Sequence, residues 1–221
     1  MAADLAALDA GITVVHADAS VLVLNKPSGL LSVPGRGADK QDCLSARVQR
    51  LHADARVVHR LDQATSGLLV MARGAAAQRL LNSAFSQRQV HKRYVAIVDG
   101  LLAAPHQAWQ TIDLPIIVDW PNRPRRIVDP QHGQASVTRW RPLLADAQRG
   151  TTRVELEPVT GRSHQLRVHL QAMGHPILGD ALYAPARAAA MAPRLLLHAS
   201  ALAFVHPTSG HLVEFSCPPE F

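Results

Sequence analysis

The sequence predicts an α+β fold built around a largely antiparallel sheet. Strand-like segments outnumber helical ones, and the two do not alternate strictly as they do in a parallel α/β protein. Hydrophobic residues make up 48% of the 221 positions, which allows a real core and argues against a disordered chain. The sequence shows no internal repeat or convincing linker, so we expect a single domain over residues 1–221.

The first half of the chain combines strand patterns with two helical ones. Residues 12–27 predict two strands around a short turn, and the apolar run 67–73 predicts one buried strand. Asp42 is a candidate N-cap for a short amphipathic helix, and a longer helix is predicted over 75–88. The segment 26–37 is rich in Pro and Gly, so we expect a surface loop there.

The second half opens with an alternating strand over 92–100. Residues 113–130 contain several prolines and a run of arginines, which predict an extended, exposed excursion. Another strand is predicted over 153–159, after which Ser163 is a plausible N-cap for a helix that stops at Gly174. A final pair of apolar strands completes the antiparallel pattern.

The charge and the cysteine content indicate which binding partners and which cellular compartment to expect. The formal net charge is +6, which favours polyanionic partners such as nucleic acid. No secretory signal or membrane-spanning run is present, and Cys43 and Cys217 belong to no CxxC pair, so we expect a reducing cytoplasm. His164 and His169 lack the spacing of a helical zinc pair, so we expect no metal. No nucleotide-binding motif occurs, so we expect no nucleotide cofactor.

Asp62 stands between a strand-like segment and a turn in HRLDQATSGLLV, residues 59–70. An isolated Asp at such a position ordinarily caps the turn by accepting hydrogen bonds from the amides of Thr65 or Ser66. From the residues alone, this capping role is the favoured interpretation of Asp62.

Two further residues have an ordinary and a functional interpretation. Tyr94 lies on an alternating strand, where an aromatic side chain usually belongs to the core. Arg167 shares a helix face with His164 and Gln171, where a solvated arginine is the ordinary expectation.

Four segments together resemble the RluA family of RNA pseudouridine synthases. HRLDQATSGLLV resembles the family's His-Arg-Leu-Asp-x-x-Thr-Ser-Gly motif, and KRYVAIV resembles its Lys-x-Tyr-x-Ala segment. GRSHQLRVHLQAMGHPILGDALY resembles the third motif, with Ser163 where many members have Thr, and RLLLHA is the fourth match. The segments occur in the family's order and cover much of the chain, which makes chance agreement very improbable.

The resemblance implies a pseudouridine synthase catalytic fold, with a mixed sheet flanked by helices and an RNA-binding cleft. It also implies a reaction without a cofactor, in which the uridine N1–C1′ bond breaks and the base rejoins through C5. Many relatives carry an N-terminal S4-like domain, and we expect none here. DLPIIVDWPNRPRR resembles the dual-specificity subgroup, which implies transfer RNA and 23S ribosomal RNA as partners.

The resemblance further implies three catalytic roles. Asp62 would be the catalytic carboxylate, acting as a nucleophile or as a base, and Arg167 would be its ion-pair partner. Tyr94 would stack on the extruded uracil, which needs such a surface once it leaves the RNA stack. Leu196 or Leu197 would form the other wall of the base pocket, although a plain core leucine is nearly as good an interpretation.

Basic residues spread over these segments are the candidate RNA contacts. Arg60 would fill the space that the uridine leaves, and His59 would orient the Arg60–Asp62 loop. Contacts to phosphate would make binding salt-sensitive. The remaining candidates are Lys26, Arg36, Lys92, Arg123, Arg125, Arg126, Arg162 and His164.

Other functions remain open at this point. A catalytically silent RNA-binding or chaperone module would keep the basic surface without the reaction, and a synthase could act on only one of the two RNAs. A carboxylate-based N-glycosidase would ordinarily need a second carboxylate beside Asp62, and the motifs offer no obvious one. We expect a monomer with no obligate protein partner.

Overall fold

The computed structural model describes residues 11–103 and 108–221 of the chain. These residues form two compact units. The first contains the described residues up to Lys92 together with 199–220, and the second contains 93–198 and Phe221.

The first unit is a set of strands with two helices. Its main strands, in the order in which neighbours pair, are β1 (Thr13–Ala17), β2 (Val21–Lys26), β4 (Ser66–Arg73) and β11 (Leu197–Val205). Two further strands extend the pairing, β3 (Ala55–Val57) on β4 and β12 (Leu212–Ser216) on β11. The pairs β1–β2, β2–β4, β3–β4 and β11–β12 are all antiparallel, as predicted.

The helices of the first unit are α1 (Leu44–Leu51) and α2 (Gly74–Ser86). Cys43 is the N-cap of α1, because its Sγ accepts a hydrogen bond from the Ala46 amide at 3.4 Å. The predicted cap at Asp42 is therefore wrong by one residue, and the Asp42 carboxylate instead accepts hydrogen bonds from Arg47. Helix α2 packs an apolar face onto the core cluster that includes Val21, Val23, Leu68, Val70 and Phe204.

The second unit contains a four-stranded set, a separate two-stranded hairpin and two α-helices. The strands of the set, in pairing order, are β5 (His91–Asp99), β10 (Thr151–Pro158), β9 (Val137–Asp146) and β6 (Gln110–Asp113), and all three pairs are antiparallel. The helices are α3 (Gln165–Ala172) and α4 (Ala186–Ala190). Helix α3 packs against β9 and β10, and residues 165–170 are all buried.

A hairpin of β7 (Ile116–Val118) and β8 (Arg126–Val128) occupies the segment predicted to be an exposed excursion. The prolines of this segment lie outside both strands, so they do not interrupt the pairing. Ile116 is buried and packs with Val168 and Tyr183, and the prediction of full exposure is therefore wrong. The Arg-rich turn between the strands is exposed over 120–124.

Helix α3 differs from its prediction at its N-terminus. His164 occupies the N-cap position, in a left-handed backbone conformation with φ of 58°, so the predicted cap at Ser163 is wrong by one residue. The C-terminal prediction is confirmed, because Gly174 follows the helix with a φ of +82°. None of the helices in the described part of the chain has the length and apolar character needed to span a bilayer.

Candidate active site

Asp62 lies half-buried in the loop that leads into β4. Strand β4 is buried along nearly its whole length, so its first residues are firmly placed. The main chain closes the turn after Asp62, since the Thr65 amide donates to the Asp62 carbonyl at 3.1 Å. Thr65 and Ser66 are both buried directly behind this turn.

Gly67 explains why the motif ends in glycine. Its φ is +110°, and a Cβ at this position would lie 2.4 Å from the carbonyl oxygen of Ala199 on β11. Only glycine allows this close approach of two backbones. The Thr-Ser-Gly sequence therefore fixes the end of the Asp62 loop against a neighbouring strand.

Lys26 joins the Pro- and Gly-rich loop to the Asp62 loop. Its ammonium is fully buried and donates to the carbonyls of Pro27 at 2.8 Å, Leu30 at 2.7 Å and Gln63 at 3.1 Å. Burial lowers the pKa of Lys26 to about 8, and the negative charge of Asp62 opposes that shift. All three donors of Lys26 are used internally in this structure, and its predicted contact with a phosphate stays a prediction.

Two serines and the main chain complete the connection between the loops. Ser32 Oγ donates to the Leu61 carbonyl at 2.7 Å and accepts from the Leu61 amide at 3.1 Å. Ser28 Oγ donates to the Ala64 carbonyl at 2.7 Å. Segment 26–37 is therefore more than a surface loop, because its first residues cradle the loop that carries Asp62.

His59 ties the start of this loop to β4. Its Nε2 accepts a hydrogen bond from the Val70 amide at 3.0 Å, and its ring stacks on Phe85 with centroids 4.5 Å apart. Burial, followed by the positive charge of Lys92, lowers the pKa of His59 to about 3. The imidazole is therefore neutral near pH 7, with its proton on Nδ1. Its neighbour Arg60 is exposed.

Lys92 differs from Lys26 in its surroundings. It is half-buried near the start of β5, and burial lowers the pKa of its ammonium. Within residues 11–103 and 108–221, no carboxylate lies within ion-pair distance of Lys92 and no hydrogen-bond acceptor contacts it. Tyr94, two residues along, shares the same face of the strand and is half-buried, opposite Leu156 of β10.

Arg167 is buried in the second unit, so the expectation of a solvated helix face is wrong for this residue. Its Nε donates to Oδ2 of Asp180 at 2.7 Å and its Nη2 donates to Oδ1 at 2.6 Å. Both side chains are almost inaccessible, at 5% and 1% exposure. This two-pronged pair fixes the plane of the guanidinium. The predicted pairing of Arg167 with Asp62 stays a prediction.

Asp180 and Tyr183 are the residues that sequence reasoning missed. Oδ1 of Asp180 also accepts from the amides of Leu182 at 3.0 Å and Tyr183 at 3.2 Å. The Tyr183 ring centroid lies 4.9 Å from the Arg167 guanidinium carbon, within cation–π range. Both residues belong to GHPILGDALY at the end of the third motif, where the only signal was an acid followed three residues later by an aromatic.

The other predicted residues of the second unit have mixed surroundings. Leu196 is half-buried and Leu197 is buried, so both keep the two interpretations given them by the sequence. Arg123 is exposed and stacks on Trp120 at 4.5 Å, and Arg162 is exposed as well. Arg125 and Arg126 are half-buried in the hairpin.

The described ranges also contain no group of three or more His, Cys, Asp or Glu side chains arranged to hold a metal ion.

Comparison with known proteins gives this arrangement a family. The sequence profile of the family described as RNA pseudouridylate synthase matches residues 20–172, which contain Asp62, Tyr94 and Arg167. The chain belongs to the RNA pseudouridylate synthase family. Its membership confirms the resemblance inferred from the four sequence segments.

Bacterial relatives cover nearly the whole chain. A protein of Escherichia coli O6:H1, named dual-specificity RNA pseudouridine synthase RluA, is 49% identical over 210 residues, which is 95% of this chain and 94% of that protein. A protein of the same name from Yersinia pestis is 50% identical over 208 residues, covering 94% of this chain and 99% of its own length.

Solved structures of this family share the fold. Human RNA pseudouridylate synthase domain containing 1 is 30% identical with a TM-score of 0.78, and the match covers 96% of this chain and 84% of that one. Human RNA pseudouridylate synthase domain containing 4 is 27% identical with a TM-score of 0.75, and the match covers 98% and 91%. The predicted α+β pseudouridine synthase fold is confirmed.

Proposed function

We propose that this protein isomerises uridine to pseudouridine in structured RNA and that Asp62 is its catalytic carboxylate. The observation that carries the proposal is the loop around Asp62, in a chain of this family. That loop is secured on both sides by Lys26, Ser32 and Gly67, while its carboxylate residue stays half-buried rather than enclosed. Such an arrangement suits a group that must meet a substrate in a fixed orientation.

The reaction conserves every atom of the nucleotide. The N1–C1′ bond breaks, the base turns, and a C5–C1′ bond forms while the C5 proton leaves and N1 gains a proton. A carboxylate can take part as a nucleophile toward C1′ or C6, or as the base that removes a sugar proton. Both routes require Asp62 to be ionised.

Arg167 and Tyr94 complete the proposed catalytic set. The fixed guanidinium plane of Arg167 suits it to hold an anionic group, and a tyrosine ring provides a stacking surface for an extruded base with one polar end. Extrusion costs a few kcal/mol of stacking energy, which contacts made by the flipped base must offset.

We further propose transfer RNA and 23S ribosomal RNA as the substrates. Support comes from the name of the bacterial relatives, dual-specificity RNA pseudouridine synthase, and from the subgroup resemblance of the segment around the hairpin. We propose that the protein acts in the cytoplasm as a monomer, through its one catalytic domain and without a cofactor.

The test is a pseudouridine map of unmodified transfer RNA and 23S ribosomal RNA after incubation with purified protein. Wild type, Asp62→Asn and Asp39→Asn are compared, because Asp39 is an exposed acid in the same unit and serves as the matched control. We expect new pseudouridines in both RNAs with wild type and Asp39→Asn, and none with Asp62→Asn.

The remaining outcomes separate the alternatives. Modification of only one RNA keeps the chemistry and removes the dual specificity. Release of free uracil identifies an N-glycosidase instead. Wild-type protein that is folded and binds RNA but leaves both RNAs unmodified points to a different RNA target or to a binding module.

A further inference from the structure

The Tyr183 side chain connects three parts of the second unit. Its hydroxyl oxygen accepts a hydrogen bond from the Arg126 amide at 2.8 Å and lies 2.6 Å from Nδ1 of His164. Its ring lies 4.9 Å from the guanidinium carbon of Arg167. One buried residue, only 5% exposed, therefore contacts the hairpin, the N-terminus of α3 and the candidate catalytic arginine.

The contact between Tyr183 and the hairpin lies next to the exposed basic turn of the hairpin. Arg126 is the first residue of β8, directly after the exposed turn that carries Arg123. The phenol therefore fastens the hairpin at the end nearest its basic turn. Because the contact uses the main-chain amide, it sets the position of the strand and leaves the Arg126 side chain out of that bond.

The guanidinium of Arg125, which lies near the Tyr183 ring, has a buried donor that no acceptor among the described residues satisfies. Its guanidinium carbon lies 5.6 Å from the Tyr183 ring centroid, and its Nε is buried with no hydrogen-bond acceptor among the described residues. A buried donor without an acceptor is unfavourable and uncommon in native structures. An oxygen-rich ligand that drew the guanidinium outward would remove that penalty, and a phosphate of RNA has this chemistry.

His164 adds a second constraint on the phenol. This residue has a left-handed backbone, with φ of 58°, at the N-cap of the helix that carries Arg167. Such a conformation is uncommon for a residue with a Cβ and persists only where the surroundings fix it. Tyr183 supplies two of the contacts that hold His164. Its hydroxyl oxygen lies 2.6 Å from Nδ1 of His164, and the two ring centroids lie 5.6 Å apart in an edge-on arrangement.

We propose that Tyr183 is a positioning residue that couples the β7–β8 hairpin to Arg167, so that RNA held by Arg125 is presented to a correctly placed guanidinium. This inference rests on the proposed function and adds a specificity element to it. The hydroxyl fixes the hairpin and the ring supports Arg167. RNA binding and the placement of the candidate catalytic arginine therefore depend on one side chain.

The test is a double-mutant cycle on RNA affinity. Tyr183→Phe removes the hydroxyl and keeps the ring, and Arg125→Ala removes the proposed phosphate contact. Dissociation constants for a hairpin RNA are measured by fluorescence anisotropy, alone and in combination, and single-turnover rates are measured in parallel. Arg36→Ala, an exposed arginine of the first unit, replaces Arg125→Ala in the control cycle.

We expect Tyr183→Phe to weaken RNA binding by about 3- to 10-fold, the equivalent of losing one or two hydrogen bonds. We also expect Arg125→Ala to weaken binding substantially in the wild-type background and by about 2-fold or less in the Tyr183→Phe background. The Arg36→Ala effect is expected to be the same in both backgrounds.

Two outcomes overturn the proposal. Additive effects of Tyr183→Phe and Arg125→Ala show that the phenol does not position the hairpin. A slower rate with unchanged RNA affinity shows that Tyr183 only supports Arg167. Since affinity is measured separately from product, the cycle still tests the coupling if wild type binds RNA without forming pseudouridine, in which case only the proposed function fails. Thermal unfolding of each variant verifies that the fold is retained.

Discussion

The loop that carries Asp62 and the helix that carries Arg167 are held in place by different kinds of contact. Around Asp62, most of the bonds end on main-chain atoms, including the carbonyls that receive the Lys26 ammonium and the Ser28 and Ser32 hydroxyls. Around Arg167, the bonds run between side chains, above all to Asp180. The first arrangement depends on the course of the backbone and the second on the identity of a few residues.

The two regions also neutralise buried charge differently. The Lys26 ammonium donates to carbonyl oxygens and not to a carboxylate. Its positive charge is therefore not cancelled by a paired anion and still interacts with the charge of Asp62. The Arg167 guanidinium has a full counter-charge in Asp180, which is itself supplied with two main-chain amides. A buried ion pair of this kind is sensitive to the loss of either partner. The comparison therefore predicts that substitutions in the two regions fail in different ways.

The largest effect is expected for Asp180→Ala. This change leaves the buried Arg167 without its two-pronged partner, and we expect the free energy of unfolding to fall by about 3–5 kcal/mol. The measurement is urea unfolding followed by circular dichroism. Asp54→Ala is the control, because its pair with Arg73 is more exposed and such pairs contribute about 1 kcal/mol or less. Equal losses for the two variants would mean that the other contacts of Arg167 hold it.

Gly67→Ala tests the backbone-dependent side of the comparison. The added Cβ would meet the Ala199 main chain at 2.4 Å, and the φ of +110° adds strain, so we expect a loss of about 2–4 kcal/mol in urea unfolding. Gly29→Ala is the matched control, because Gly29 also has a positive φ, +89°, but nothing lies within 4 Å of the new Cβ. That control is expected to lose only about 1 kcal/mol. Similar losses would show that strain rather than the strand contact decides the effect.

The local pattern of the sequence predicted the strands and helices that it determines directly. Alternation found β5 and β10, and the unbroken apolar run found β4. Strand β9 was missed, because Pro142 and three charged residues interrupt its pattern. The hairpin was missed for a related reason, since its prolines suggested an irregular segment although they all lie outside the paired residues.

The candidate site was predictable where a motif carries it and unpredictable where tertiary contacts complete it. Asp62, Tyr94 and Arg167 follow from the resemblance, and their roles remain predictions. Asp180 reaches Arg167 across 13 positions of sequence through a turn, a distance at which no helical or strand periodicity applies. The burial of Lys26 could not be predicted, because it depends on the loops that fold over this residue, and a lysine beside Pro-Ser-Gly is ordinarily expected to be exposed.

Acid should weaken the Asp62 loop through His59. The pKa of this imidazole is lowered to about 3 in the folded protein, so the unfolded chain takes up a proton near pH 6.5 before the folded one does. The stability that depends on neutral His59 is therefore complete above pH 6.5 and is lost as the pH falls toward 3. By pH 4.5 this loss is expected to be about 2–3 kcal/mol.

His59→Gln is the comparison for that measurement, because glutamine keeps a hydrogen-bond acceptor and cannot titrate. Free energies of unfolding of wild type and variant are measured in urea at pH 7, 6, 5 and 4.5. The advantage of wild type over the variant should shrink steadily over this range. A constant difference would mean that the imidazole becomes protonated in the folded state at its ordinary pKa.

The smallest effect concerns two lysines of the first unit, the buried Lys26 and the half-buried Lys92. Lys26 has three internal acceptors, whereas Lys92 has none among the described residues, so a phosphate of bound RNA is the partner that Lys92 is suited to take. Lys92→Met should weaken RNA binding by about 3- to 10-fold and reduce the slope of log Kd against log salt concentration by about 0.7–0.9.

The chain contains a third lysine, the exposed Lys40, and Lys40→Met is the matched control for the loss of one positive charge. Its salt slope should stay close to that of wild type, and Lys92→Arg should restore most of the slope that Lys92→Met loses. If Lys92→Met and Lys40→Met have the same slope, the ammonium of Lys92 acts only through the net charge. The proposed difference between Lys26, whose donors bind acceptors inside the protein, and Lys92, whose ammonium would bind a phosphate of RNA, would then be wrong. Burial alone would account for the properties of both lysines.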